Sequence, residues 1–265
     1  MAVSADGRAW FLLNAAPDLR QQIEASPVLH ATGLRRGSPI AGVVLTGGDV
    51  DAIAGLLVLR EGHRFTLYAA APVLDVLDAN PIFEVLARDV VRRRPVPLGT
   101  PFALHDATGA QTGLSATLFA VPGKVPLYLE RAGAAPPVVE DGTTVGVAIS
   151  DGRRTLFFIP GCAAMTESLA RRLCGADLVC FDATLWRDDE MIHQGIGSKT
   201  GQRMGHMSLT GPGGTLAAFA PLGVRRKILL HINNSNPILL DDSPEHAEVQ
   251  AQGWEVAEDG MRLTL

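Results

Sequence analysis

Hydrophobic positions along the chain fall into short apolar runs separated by turn residues. Residues 40–45 form one such run, followed by Gly47-Gly-Asp-Val-Asp51 and an amphipathic stretch. The pattern predicts a buried strand, a glycine turn and a helix opening near Asp49 or Asp51. Further strands are expected over 65–69, 90–97, 102–105, 114–121, 178–182 and 227–232. Hairpins are expected over 2–14 around Asp6-Gly7, over 144–159 around Asp151-Gly152, and over 254–265 around Asp259-Gly260. Helices are expected over 17–25, in two pieces over 72–88 broken at Pro81, over 167–174 and over 215–219. A further one starts at Ser243-Pro-Glu, an N-cap residue with proline at the first helical position. Residues 131–141 are rich in alanine and proline and read as an exposed loop.

Hairpin-forming strands punctuated by single helices argue for two sheets with helices outside, a four-layer αββα sandwich. Residues 1–265 show no repeat or low-complexity linker, so one domain is expected.

With 47% hydrophobic and 19% charged residues, the composition is that of an ordinary globular protein. No block of basic residues provides a nucleic-acid footprint. Arg92-Arg93-Arg94 reads as a solvated strand edge. No apolar run reaches the length of a membrane span. The N-terminus carries no secretory signal pattern. Cys162, Cys174 and Cys180 form neither a C-x-x-C pair nor an even set, and read as small buried hydrophobes in a reducing, cytoplasmic compartment.

Candidate chemistry sits at strand ends. Asp49/Asp51, Asp182 and His231 each fall where a predicted strand finishes or runs out, and His206 lies on the glycine-rich loop 195–206. In open α/β sheets such positions face one crevice. Asp51, Asp182, His206 and His231 together would suit a divalent transition metal, and two histidines with one carboxylate suit iron(II). The plain alternative is a helix-capping aspartate and a core histidine. Lys199 and Arg203 among glycines, with Lys124 elsewhere, suit an anionic small molecule, and Asn233 and Asn234 could hold backbone or ligand. A flexible solvated loop explains 195–205 equally well. His30, His63, His105, His193 and His246 are assigned no role.

Several stretches together resemble the PqqB family of pyrroloquinoline quinone (PQQ) biosynthesis proteins. They are Asn14-Ala-Ala-Pro-Asp-Leu-Arg-Gln-Gln22, Gly47-Gly-Asp-Val-Asp51, Ala54-Gly-Leu-Leu57, Leu59-Arg-Glu61, Val121-Pro-Gly-Lys-Val-Pro126 and Ile159-Pro-Gly-Cys162. The most specific are Gly197-Ser-Lys-Thr-Gly-Gln-Arg-Met-Gly-His206 and His231-Ile-Asn-Asn-Ser-Asn-Pro237.

The resemblance spans essentially the whole chain and implies a metallo-β-lactamase-like αββα fold. It implies a part in making PQQ from a cross-linked glutamate–tyrosine precursor. Either the protein is an iron(II)-dependent hydroxylase of the tyrosine ring, with Asp51 and His206 at the reaction, or it is a carrier in transport of PQQ or its precursor to the periplasm. The ligand is a polycarboxylate in both cases. Oligomeric state is left open, a homodimer being one option.

Two departures stand out. The family begins with a strand, a glycine-rich turn and a cysteine-rich segment resembling a structural zinc site. This chain starts after them, so that zinc site is expected to be absent and the true start to lie upstream. The family pattern also has histidine where Ala52 stands, which removes an expected metal ligand. Hydrolase chemistry is rejected because Gly47, Asp49 and Ala52 occupy the histidine positions that such enzymes use.

Overall fold

The computed structural model describes residues 1–31, 33, 36–130 and 138–265. The loop expected over 131–141 thus lies mostly outside the described residues. The chain divides into two compact units. The first comprises Met1–Phe119, Val125–Leu129 and Ile149–Arg153; the second comprises Ala120–Lys124, Glu130–Ala148 and Arg154–Leu265.

The first unit carries strands β1 (Ala2–Val3), β2 (Trp10–Leu13), β3 (Ile40–Val44), β4 (Phe65–Ala69) and β5 (Val91–Pro95), in that spatial order. β1 runs antiparallel to β2, closing the expected N-terminal hairpin, and β2 to β5 are parallel. Helices α1 (Leu19–Ala25), α2 (Val50–Ile53) and α3 (Ala71–Ala79) lie on the connections. Parallel strands covered on both faces read as unbroken apolar runs, which is why all five residues of β3 are buried. The core here gathers Leu12, Val43, Leu45, Ile53, Leu56, Leu67 and Leu77, with Ala52 among them. Strands β6 (Phe102–His105) and β7 (Gln111–Ala120) pair antiparallel.

The first unit corrects the reading of the arginine run. β5 is a sheet edge, yet the Arg93 side chain is only 5% exposed. It pairs with Asp78 and Glu84 and donates to the Phe83 carbonyl oxygen. The partly exposed carboxylates of Asp78 and Glu84 cover it, a contact that sequence position alone does not reveal.

In the second unit the sheet has the order β12-β11-β10-β9-β8. Its strands are β8 (Val145–Ser150), β9 (Thr155–Ile159), β10 (Leu178–Asp182), β11 (Arg226–Leu230) and β12 (Trp254–Val256). β9, β10, β11 and β12 are mutually parallel. Helices of the second unit are α4 (Glu167–Leu173), α5 (Glu190–His193), α6 (Gly201–Met204), α7 (Thr215–Phe219) and α8 (Pro244–Ala251). Ser243 caps α8 as expected, accepting from the His246 N–H.

Three expectations change. No hairpin closes the chain: β12 pairs in parallel with β11, and residues 257–265 form no strand. The apolar Trp254 finds its partner 27 residues back, at Lys227, rather than across the local Asp259-Gly260 turn. β11 stops at Leu230, so His231 lies just past the strand rather than on it. Cys174 is exposed at the end of α4, unlike the buried Cys162 and Cys180. Among the described residues, no helix is long and apolar enough to cross a membrane.

Candidate metal centre

The second unit brings Asp182, His206 and His231 together, with one potential donor atom from each lying within 4.8 Å of the others. Parallel register explains two of the three. β10 and β11 run side by side with Asp182 opposite Leu230, so the next residue, His231, emerges at the same edge. His231 turns there into the left-handed backbone region, φ 55°. That conformation costs a residue with a side chain on the order of 1–2 kcal/mol, and it turns the chain sharply off the sheet.

His206 arrives from a loop by a chain of local devices. Thr200 caps α6 by accepting from the Arg203 N–H, and Gly205 ends the helix at φ 92°. The Met207 N–H then bonds the Cys162 carbonyl, tying the segment to the loop after β9. Gly205 is needed twice over. Its φ suits glycine, and a β-carbon there would stand 3.2 Å from Lys124 Cγ.

The Asp182 side chain is fully buried. His206 Nδ1 lies 2.6 Å from its Oδ2, and the Cys162 N–H donates to the same oxygen at 3.2 Å. The Thr184 N–H and hydroxyl donate to Oδ1 at 3.1 and 2.6 Å. His231 Nδ1 stands 3.6 Å from Oδ1. The two imidazoles stack with centroids 5.2 Å apart. Burial pushes the Asp182 carboxyl toward its neutral form, but the two histidines outweigh it and hold the pKa well below the ordinary carboxylate range.

The donor set fits a divalent metal: a buried carboxylate and two half-exposed imidazoles converge on one small region. Asp51, the fourth expected ligand, belongs to the first unit, exposed in the first turn of α2. Asp49 is the N-cap of α2, yet its side chain makes no capping bond and accepts from the Leu127 N–H instead. Ala52 is buried in the apolar core of the first unit.

The expected anion-binding residues divide. Lys124 and Lys199 meet across Glu130, at 2.8 and 2.9 Å from its two carboxylate oxygens. Those hydrogen bonds, the Lys124 one first, pull the Glu130 pKa down to about 2. Lys124 also packs on Gly205, the residue before His206. Arg203 and Asn234 are exposed. Asn233 orders its own loop, its N–H donating to the Thr184 carbonyl and its amide to Ser235 Oγ at 2.8 Å.

Three residues escaped the sequence reading: Glu130, Glu190 and Thr184. Glu190 is buried and accepts from the Trp186 N–H at 2.7 Å and from Ser235 Oγ at 2.5 Å. For Thr184 a faint signal existed, a hydroxyl two residues beyond a strand-terminal aspartate. The other two carried none.

Comparison with known proteins places the fold. The sequence model of the β-lactamase superfamily domain matches residues 9–232. A diphosphatase of the PhnP family shares the fold with a TM-score of 0.64 at 18% identity, covering 100% of this chain and 83% of that one. The family model thus makes this a protein of the β-lactamase superfamily.

Higher similarity narrows the class. The crystal structure of Zn²⁺-bound PqqB from Methylobacterium extorquens matches with a TM-score of 0.94 and 50% identity, covering 100% of this chain and 86% of that one. The coenzyme PQQ synthesis protein B of Gluconacetobacter diazotrophicus is 60% identical over 264 residues, and that of Gluconobacter oxydans 53% over 265. Each match covers 100% of this chain and 86% of the relative. The chain belongs to the coenzyme PQQ synthesis protein B family.

Proposed function

We propose that this chain acts in PQQ biosynthesis as an iron(II)-dependent hydroxylase of the tyrosine ring in the cross-linked glutamate–tyrosine precursor. The observation that carries the reading is the Asp182–His206–His231 cluster in a chain of the PqqB family. Asp182, His206 and His231 would hold the metal. Iron(II), when bound, would supply the oxygen chemistry, and two imidazoles with one carboxylate suit it.

Orientation would fall to Asp182 itself and to residues outside the ligand set. The Asp182 carboxylate is kept charged and buried behind the two rings and restrains His206 through Nδ1. Lys124 and Lys199 converge on a carboxylate already, that of Glu130, and would receive a substrate carboxylate by the same geometry. Arg203, exposed on α6, would steer a polycarboxylate inward, and Asn234 would offer an amide. The ring hydroxylation needs an external reductant. A cytoplasmic location goes with this reading, supported by three free cysteines.

A second reading, a non-catalytic carrier for PQQ or its precursor, is favoured by Ala52. Its methyl group has no lone pair and sits in an apolar core.

The test is purified full-length chain, loaded anaerobically with iron(II) and given precursor, a chemical reductant and isotope-labelled dioxygen. Labelled oxygen in the product, lost in His206→Ala, is the expected result. Tight precursor binding without oxygen incorporation would overturn the hydroxylase in favour of the carrier. Ala52→His run alongside reports whether histidine is needed there: equal turnover makes it dispensable.

A further inference from the structure

Thr184 makes more contacts with the metal cluster than its place in the sequence suggests. Its hydroxyl oxygen lies 2.6 Å from Asp182 Oδ1, 3.0 Å from His206 Nδ1, 2.9 Å from His231 Nδ1 and 3.2 Å from the His231 carbonyl oxygen. One side-chain atom therefore reaches all three residues of the cluster. Its backbone takes part as well. The N–H donates to Asp182 Oδ1, and the carbonyl accepts from the Asn233 N–H two residues after His231.

A hydroxyl has one proton and two acceptor lone pairs, so it can donate to a carboxylate and accept from a ring N–H at once. That versatility lets it sit between an acceptor-only group and two imidazoles, which no apolar side chain of the same shape could do. Groups that hold a ligand's ring in place set how well the ligand presents itself to a metal.

We propose that Thr184 is a positioning residue for the metal centre, its hydroxyl holding the His206 and His231 rings in register with Asp182. The inference rests on the reading of the cluster as a metal site. Removing the hydroxyl leaves every potential ligand present but frees the rings to turn, and loss of such a partner lowers metal affinity roughly 10–100-fold.

The test is cobalt(II) titration of the metal-free full-length chain, following the visible absorption of the bound ion. Native protein is compared with Thr184→Val, Thr184→Ser and the ligand variant His206→Ala, with thermal unfolding of each metal-free protein recorded. The expected result is weaker cobalt binding by roughly 10–100-fold in Thr184→Val. Thr184→Ser should bind as the native chain does, and unfolding temperatures should stay close together. Native-like affinity in Thr184→Val, or equal loss in Thr184→Ser, would overturn the proposal. If Thr184→Val does not fold, Thr184→Ala replaces it. Should both hydroxyl-free variants unfold while Thr184→Ser folds, the hydroxyl serves the fold and the proposal is wrong. Native protein that binds cobalt no better than His206→Ala refutes the metal site itself, and this inference falls with it.

Discussion

Glu190→Ala should destabilise the second unit far more than an ordinary acidic substitution. Glu190 is only 6% exposed, and each carboxylate oxygen accepts from one donor: the Trp186 N–H on one side, Ser235 Oγ on the other. These bonds clamp the loop after β10 to the loop after His231. Hydrogen bonds to a charged group contribute about 1.5–3 kcal/mol each, and a buried donor left without an acceptor costs about 1–3 kcal/mol. Losing both bonds should therefore lower stability by roughly 3–6 kcal/mol. That is a large part of the ~5–15 kcal/mol available to a folded domain. Glu190→Gln keeps an acceptor for one donor and should lose less than half as much. Urea unfolding measures the difference, with Glu248→Ala, an exposed glutamate on α8, as control. A midpoint for Glu190→Ala indistinguishable from the Glu248→Ala control would refute the clamp.

Three further outcomes are expected. The Glu130 carboxyl is held at about 2 rather than 4.5 by Lys124 and Lys199, so its pairing stabilises the native chain fully above pH 4.5. That contribution fades as pH falls through this window and is gone below pH 2; unfolding temperatures against pH should show Glu130→Gln and native converging there. Gly55→Ala would place a β-carbon 2.1 Å from the Ala16 carbonyl oxygen, so the backbone must move. Calorimetry should register a loss of about 1–3 kcal/mol or more, as for other overpacked cores. Ser243→Ala removes the cap of α8 together with the hydroxyl's bond to the Pro237 carbonyl and should cost about 1–2 kcal/mol by urea unfolding, while Ser243→Thr should retain most of it.

Much of this chain could be read directly. Apolar runs and turn residues marked β3, β4, β9 and β10 and the cap of α8, because a strand or cap is specified by its neighbours in sequence. The metal candidates at strand ends followed from the same logic, and residue motifs identified the family. The residues themselves determined where most of the strands run, that Asp182 ends β10, and that a buried carboxylate would need polar partners.

Tertiary structure decided what local pattern does not encode. β12 adds to β11 in parallel across a whole helix, so a local turn signal at Asp259-Gly260 pointed to the wrong partner. Arg93 is buried because Asp78 and Glu84 come to it from α3 and the turn that follows. Glu130 unites two lysines that lie 75 positions apart in the chain, and Thr184 joins histidines 22 and 47 positions away from it. Short-range steric and solvation preferences act over a few residues and leave their mark on the sequence. Charge pairing and shared hydrogen bonds depend on distances that exist only once the strands lie side by side.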